Sequence, residues 1–289
     1  MRLTWPRPHR RSRQLPVLAD VTPCVAPGRV VGLLGPAGTT GTAVRTLTRI
    51  GSFTGTAVGV VTRGAPLYAD LSVADHLRLG ARLNPRWDGR LAQRRVEQAG
   101  LDPAQKAGRL SGGQQAQLAL TLAVARRPEL LVFDDPITAL DPLARRDFLN
   151  RLAELVAELE ISAILSTPVL DDVERVCDHL VLLCAGRVQL AGRIDDLIAE
   201  HFRLTGARCE LRDLPPGIEV IRDEQVAAGR RQLVVRRSAV PIPRSVRDVR
   251  NVSLEEMVLA YLARQSVEST NGGDCDRTFD RFVLRRGIS

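Results

Sequence analysis

Lysine is almost missing from this chain: Lys106 is the single lysine among 41 basic residues, and all the others are arginine. Such a skew reads as codon composition rather than a selected arginine surface. It weakens the nucleic-acid reading that a net charge of +8 would invite. Aromatic residues make up only 3% of the chain, and none alternate with basic residues, so no base-stacking platform is visible and no nucleic-acid partner is expected. The five cysteines (Cys24, Cys177, Cys184, Cys209 and Cys275) are scattered, odd in number and without a CxxC pair. Free thiols in a reducing, cytoplasmic setting are the expectation. The longest aliphatic run, Leu118–Ala125, is far too short to cross a bilayer. No apolar segment follows the basic stretch Arg7–Arg13, so no secretory signal is expected. If the protein serves a membrane, a partner must bring the spanning helices.

What is present is ample aliphatic material. Hydrophobic residues are 44% of 289, enough for one large domain and a small appendage, with a core of Leu, Val, Ala and Ile. Residues 1–14, rich in Pro and Arg, read as a loose arm. Residues 15–205 alternate strands and helices: strands Val17–Val21, Val30–Leu34 and Thr56–Thr62, with a helix Thr42–Arg49 between the last two. A helical stretch, 72–127, follows. It opens on a capping box at Ser72-Val73-Ala74-Asp75, breaks at Asn84–Asp88, resumes over Arg90–Ala99 and Gly112–Arg126, and stops before Pro128. Strand Leu130–Phe133, helix Pro142–Leu159, strand Ser162–Ser166, helix Val169–Cys177 and strand Leu180–Cys184 complete the pattern of a mostly parallel α/β sheet. Residues 206–264 differ, with short strand-like runs at Glu219–Ile221 and Gln232–Val235, and a helix capped at Ser253 that runs to Ala263. They read as a small α+β appendage. Residues 265–289 read as a mobile tail.

Three segments carry chemistry. Gly35-Pro36-Ala37-Gly38-Thr39-Thr40-Gly41-Thr42 lies between an apolar strand and a helix, the setting of a phosphate-binding loop. Gapless reading places Thr40 at the second motif glycine, Gly41 at the lysine and Thr42 at the Mg²⁺-binding hydroxyl. Alone, the segment reads sooner as an ordinary strand–helix turn, and only the motifs around it reverse that. Leu110-Ser111-Gly112-Gly113-Gln114 offers a hydroxyl and two glycine amides at a helix start, suited to a phosphate. An N-cap serine with a glycine turn would explain Ser111 but not the whole pentapeptide. Leu130–Asp135 is a buried strand that delivers Asp134 and Asp135 at its C-terminal end.

The unblemished LSGGQ at 110–114, with these neighbours, resembles the signature of the ABC transporter ATPases, and the likeness covers residues 15–205. It implies a P-loop NTPase-type, mostly parallel sheet with a helical subdomain near 72–127. It also implies ATP and Mg²⁺ as ligands, with Asp134 and Thr42 holding the metal. In the family the signature contacts nucleotide held by the opposite subunit of a head-to-tail dimer. Asp135 stands where the family has the glutamate that polarises water, shorter by one methylene, about 1.5 Å. Ala139-Leu140-Asp141 matches the D-loop, with helix capping as the plain alternative for Asp141. Arg63 falls at the family's glutamine after the third strand, and Pro168 replaces a γ-phosphate-binding histidine. No adenine-stacking aromatic is found before Val17, since Trp5 and His9 stand too far upstream.

The altered positions serve this chain's own nucleotide, and the retained ones serve a neighbour's. Losing the lysine alone removes a charge-assisted bond of about 1.5–3 kcal/mol. The expectation is an ATP-binding subunit on the cytoplasmic face of a membrane permease. Its own site is impaired, and its signature completes the site of a second ABC ATPase subunit, with a heterodimer favoured over a homodimer. The segments Glu174–Asp178 and Ala185–Val188 resemble export-type ATPases and favour export. Two alternatives stay open. One is a fully active ATPase in which Arg45 or Arg63 replaces the lysine. The other is a nucleotide-sensing or scaffold protein of the same fold.

Overall fold

The computed structural model describes residues 28–36, 40–41, 43–44, 57–64, 66–184, 187–226, 229–237, 240–243, 246 and 248–270; for 265–270 only the backbone is described. The expected arm at 1–14 and the strand Val17–Val21 lie outside these residues. So do Arg45 and most of the helix Thr42–Arg49, of which Ala43 and Val44 are described as helical.

Among the described residues the larger sheet has six strands in the order β2-β3-β4-β1-β5-β6. These are β1 (Val30–Leu34), β2 (Val58–Thr62), β3 (Leu130–Asp134), β4 (Ser162–Ser166), β5 (His179–Cys184) and β6 (Arg187–Arg193). The first five run parallel, and only β6 is antiparallel, at the edge. Parallel strands covered on both faces need continuous apolar sequence. β1 and β4 are buried at every position, and β3 at every position except Asp134. Among the described residues β2 is the other edge, and it shows the alternation expected of one, with Gly59 and Val61 buried between half-buried neighbours.

The helical stretch contains α1 (Val73–Leu83), α2 (Gly89–Gln98) and α3 (Gly112–Val124). The capping box expected at α1 is present: Asp75 N–H donates to Ser72 Oγ at 3.1 Å, and Ser72 N–H donates to the Asp75 carboxylate at 3.0 Å. The Ser72 hydroxyl and amide, with Arg78, lower the Asp75 carboxyl to about 2. α4 (Pro142–Leu159) and α5 (Leu170–Val176) follow β3 and β4. Phe133 and Phe148 meet edge-on at 6.1 Å in the core between β3 and α4.

The sequence reading passed over β6, α6 (Ile194–Glu200) and the start of β7 (His201–Ala207). β6 buries only Leu190 and α6 spans two turns, so neither shows a full hydrophobic period. β7 joins a second, antiparallel sheet of order β10-β7-β9-β8, with β8 (Ile218–Gln225), β9 (Arg230–Arg237) and β10 (Asp248–Asn251). That sheet starts at His201, ahead of the expected boundary at 206. α7 (Leu254–Thr270) runs past the expected stop at Ala263, so residues 265–270 are helix rather than tail. Ser253 Oγ caps α7 by accepting from Glu256 N–H at 3.1 Å. Met257, Val258 and Tyr261 of α7 share one core with Leu34, Leu180 and Leu182 of the large sheet and Ile221 and Val234 of the small one. Each such side chain, fully buried, contributes about 1.5–3 kcal/mol.

Candidate functional site

Because β2, β3, β4 and β1 are parallel neighbours, their C-terminal ends lie along one rim, where ligands of open α/β sheets bind. Four of the expected site segments begin there: Gly35 after β1, Arg63 after β2, Asp134 and Asp135 at the end of β3, and Thr167-Pro168 after β4.

Of the expected phosphate loop, Gly35, Pro36, Thr40 and Gly41 are described; Ala37, Gly38, Thr39 and Thr42 are outside the described residues. Gly35 must be glycine, since a Cβ there would sit 2.6 Å from the Leu183 carbonyl oxygen. Gly41, already helical, points at the end of β3: a Cβ on it would lie 3.7 and 3.8 Å from the two Asp134 oxygens. A side chain at this position would therefore enter the space in front of Asp134. Asp134 is half-buried and has no partner for its carboxylate among the described residues, which suits the water shell of a magnesium ion. No three His, Cys, Asp or Glu side chains among the described residues could hold a metal by themselves. A magnesium ion here would need nucleotide phosphates as further ligands.

Asp135 is in a different state. Both of its oxygens are taken within the chain, Oδ2 by the Arg63 guanidinium and Oδ1 by the Thr138 hydroxyl. Its backbone is left-handed at φ +50°, and its N–H donates to the Ser166 carbonyl at 3.0 Å. Arg63 N–H in turn donates to the Asp134 carbonyl at 3.1 Å. The residue at the glutamine position thus closes onto the residue at the base position. A neutral amide could not form that ion pair. A base must have an oxygen within reach of the water it activates, and in this arrangement each Asp135 oxygen already accepts one bond from within the chain, which competes with such a water.

The signature is built differently. Ser111 is the N-cap of α3: its Oγ accepts from Gln114 N–H at 3.2 Å, and the Gln114 side chain accepts from Ser111 N–H at 2.9 Å. The Gly112 and Gly113 amides, at the positive end of the helix, have no acceptor among the described residues. The two glycines also let α3 approach the D-loop. A Cβ on Gly113 would come within 2.9 Å of the Ala144 Cβ, and one on Gly112 within 3.5 Å of Leu140. Asp141 caps α4, its Oδ1 accepting from Leu143 and Ala144 N–H at 3.0 Å each, so the capping role is real for this residue. Leu110 is buried; Ser111, Gly112, Ala139, Asp141 and Leu143 are exposed. Signature and D-loop form one continuous surface.

Pro168 is exposed beyond β4, next to a buried network that no motif announced. Arg145 reaches Asp172 with two guanidinium nitrogens, Nε to Oδ1 at 2.8 Å, and Thr167 Oγ1 donates to Asp172 Oδ2 at 3.0 Å. The network ties α4, which begins at the D-loop, to the segment where the family histidine is missing. Cys177, between Asp172 and Asp178, is half-buried, and desolvation together with those two carboxylates pushes its thiol far up, away from a reactive thiolate.

Residues 39–138 match the family model described as ABC transporter, and that segment holds Gly41, Arg63, the signature, Asp134 and Asp135. The chain carries an ABC-type nucleotide-binding domain. It is 35% identical over 188 residues to the molybdenum import ATP-binding protein ModC of Rhodobacter capsulatus, covering 64% of this chain and 52% of that one. It is 34% identical over 149 residues to the thiamine import ATP-binding protein ThiQ of Jannaschia sp. (strain CCS1), covering 50% and 65%. The chain thus spans about half to two-thirds of the length of these curated relatives. A solved ATP-binding subunit of an ABC transporter superposes with a TM-score of 0.53 at 26% identity, covering 63% of this chain and 86% of that one. The nucleotide-binding domain has the mixed α/β, mostly parallel sheet of a P-loop NTPase. No helix among the described residues is long and apolar enough to cross a membrane.

Sequence reasoning named Arg63 and Asp135 separately but missed that they pair, and missed Thr138 altogether. An arginine facing a carboxylate across adjacent strand ends was the available signal, since β2 and β3 pair in register from Val58 and Leu130 to Thr62 and Asp134.

Proposed function

We propose that this chain is the ATP-binding subunit of an ABC transporter with an impaired site of its own, assembled on a separate membrane permease and paired with a second, competent ATP-binding subunit. The observation that carries the reading is the contrast between two ends of one domain. Asp135 has both oxygens bound by Arg63 and Thr138 beside a Gly41 that offers no cation, while the Gly112 and Gly113 amides have no acceptor among the described residues. Removing one phosphate-stabilising donor typically costs about 10²–10³ in rate. A site short of lysine, with its base tied up, turns over very slowly.

The relatives named above are import proteins, which supports import over the export suggested by the 174–178 and 185–188 segments. ATP with Mg²⁺ is the ligand; Asp134 and Thr42 hold the ion's shell, and the Gly35–Thr42 loop holds the phosphates. In the mixed assembly Ser111, Gly112 and Gly113 donate to the γ-phosphate of the partner's nucleotide, so Ser111 acts in trans. The assembly sits at the inner face of the membrane.

Steady-state ATPase measurement on the purified chain, alone and mixed with a lysine-containing ATP-binding subunit, tests the reading. Negligible turnover alone and turnover in the mixture is the expected result. Robust turnover by the chain alone overturns it and favours the active-ATPase alternative.

A further inference from the structure

α2 carries an arginine where its packing calls for an apolar residue. Leu91 of α2 shares one core with Leu149, Leu152 and Leu155 of α4. Arg95 follows one turn later on the same face of α2, and it is only 5% exposed. Burying a guanidinium is costly unless a counter-ion meets it. Among the described residues no carboxylate pairs with this one. Arg95 Nη1 donates to Gln98 Oε1, a neutral amide, at 2.9 Å, and Arg95 Nε has no acceptor. Desolvation lowers the Arg95 pKa, Arg151 lowers it further, and Glu158 and Glu154 oppose the shift.

Arg95 lines a cleft of about 520 Å³ between α2 and α4, a volume typical of small-molecule sites. The α4 side of the cleft holds Arg151 and three carboxylates, Asp147, Glu154 and Glu158. Spacings of four, three and four residues put Asp147, Arg151, Glu154 and Glu158 on one stripe of the helix. That spacing permits Arg151 to pair with Asp147 or Glu154 within α4. It donates instead to the main-chain carbonyl of Gln98, the last residue of α2, at 2.8 Å. Two arginines from two helices thus line one cleft with three carboxylates. Among the described residues no ion pair joins the two sets.

These unmet charges restrict what fits. An anion alone would satisfy Arg95 and Arg151 but meet three carboxylates. A cation alone would satisfy the carboxylates but meet two guanidinium groups, and no carboxylate cluster among the described residues could hold a metal. A molecule with one charge of each sign satisfies both sets. An α-amino acid is the smallest common molecule of that kind. Guanidinium groups accept its carboxylate in their fork geometry. Glu154 and Glu158, one helical turn apart, suit its ammonium. No apolar side chain among the described residues lines the cleft, so the ligand's own side chain is short or polar. The Gln98 and Asn150 amides are there to bond it.

We infer that the cleft between α2 and α4 binds a free α-amino acid with a short or polar side chain. Its carboxylate lies at Arg95 and Arg151, and its ammonium at Glu154 and Glu158. Such a ligand ties α2, in the helical stretch, to α4, which starts at the D-loop. No residue of the nucleotide rim takes part, so binding is independent of whether this chain hydrolyses ATP.

The test is saturation-transfer NMR on the full chain, with the protein L-amino acids offered one at a time. Binding of at least one member with a short or polar side chain is expected, with a rise in thermal midpoint as its concentration increases. The N-acetyl and the carboxamide forms of that amino acid each lack one charge and should not bind. Arg151→Met should weaken binding about 10- to 150-fold, the worth of one charge-assisted hydrogen bond. Glu154→Gln with Glu158→Gln, both exposed positions, should weaken it similarly. Arg146→Met, exposed and outside the cleft, should leave it unchanged. Arg95→Met should remove binding without lowering the thermal midpoint of the unliganded chain, since it replaces a buried unpaired charge by an apolar side chain. Binding of no amino acid, or of apolar ones alone, overturns the inference. So does binding unchanged by the Arg151 or the paired Glu154 and Glu158 substitutions. Inorganic phosphate or putrescine binding as tightly as the best amino acid overturns it in favour of a simple ion site.

Discussion

Restoring a lysine by Gly41→Lys probes the phosphate loop most sharply. A Cβ at Gly41 would lie 3.7 and 3.8 Å from the Asp134 oxygens, ordinary van der Waals separations, so a Cβ is accommodated there. Gly41 is helical, and replacing a helical glycine adds about 0.5–1 kcal/mol of stability. A lysine here would reach the β- and γ-phosphates. One charge-assisted hydrogen bond of about 1.5–3 kcal/mol corresponds to roughly 10- to 150-fold in affinity. Calorimetric titration with ATP, ADP and AMP should show that gain for ATP and ADP and none for AMP. Turnover should stay low, because Arg63 and Thr138 still occupy Asp135. A higher melting temperature with unchanged ATP affinity would rule out a phosphate-binding loop here: the lysine would then be pairing with Asp134 in a site that holds no phosphate. Asp134→Asn in the same background separates the two cases.

Further outcomes follow from the same geometry. Arg63→Gln should change stability by less than about 1 kcal/mol, since the Arg63 side chain is 58% exposed, yet it should raise the turnover of Gly41→Lys by freeing Asp135, as read in single-turnover ATPase assays. Arg145→Met leaves Asp172, whose side chain is only 5% exposed, as an unpaired buried carboxylate. It should cost about 3–5 kcal/mol in denaturant unfolding, whereas Arg250→Met, removing an exposed pair, should cost almost nothing. His201 lies buried between the Leu197 carbonyl and Tyr261, and burial lowers its pKa below 6.5. The unfolded chain therefore takes up the proton first, and stability should fall as pH drops below about 6.5, with a flatter profile in His201→Gln. Burial pushes Tyr261 up to about 12, so the alkaline loss of stability should begin near pH 10, as the unfolded phenol ionises, and be complete by about 12.

The large sheet was readable because parallel buried strands leave unbroken apolar runs. Val30–Leu34 and Ser162–Ser166 are strands at the expected bounds, and Leu130–Phe133 extends by one residue to Asp134. Helix starts were readable where a side chain caps them, at Ser72, Ser111 and Asp141. Illegible elements lacked such marks: α6 has no side-chain cap, and β6 is an edge strand with one buried residue. The extension of α7 to Thr270 crosses Gln265–Thr270, a polar run whose helical period is weak. The site was half legible. Gly35, Arg63, Asp134, Asp135 and Pro168 lie at or just past strand ends along the rim, but spacing says nothing about what a side chain bonds. That Asp135 is held by Arg63 and Thr138 depends on the strand register and on the left-handed backbone at φ +50°, which bring three separate segments together.

We propose that this chain lends its signature to a partner and does not use its own base. The most direct measurement is ATP turnover of the mixed assembly carrying Ser111→Arg or Asp135→Asn in this chain. Ser111→Arg should abolish turnover, by placing a bulky cation in front of the Gly112 and Gly113 amides, while Asp135→Asn should leave it unchanged. Loss of turnover with Asp135→Asn, or full turnover with Ser111→Arg, would contradict it.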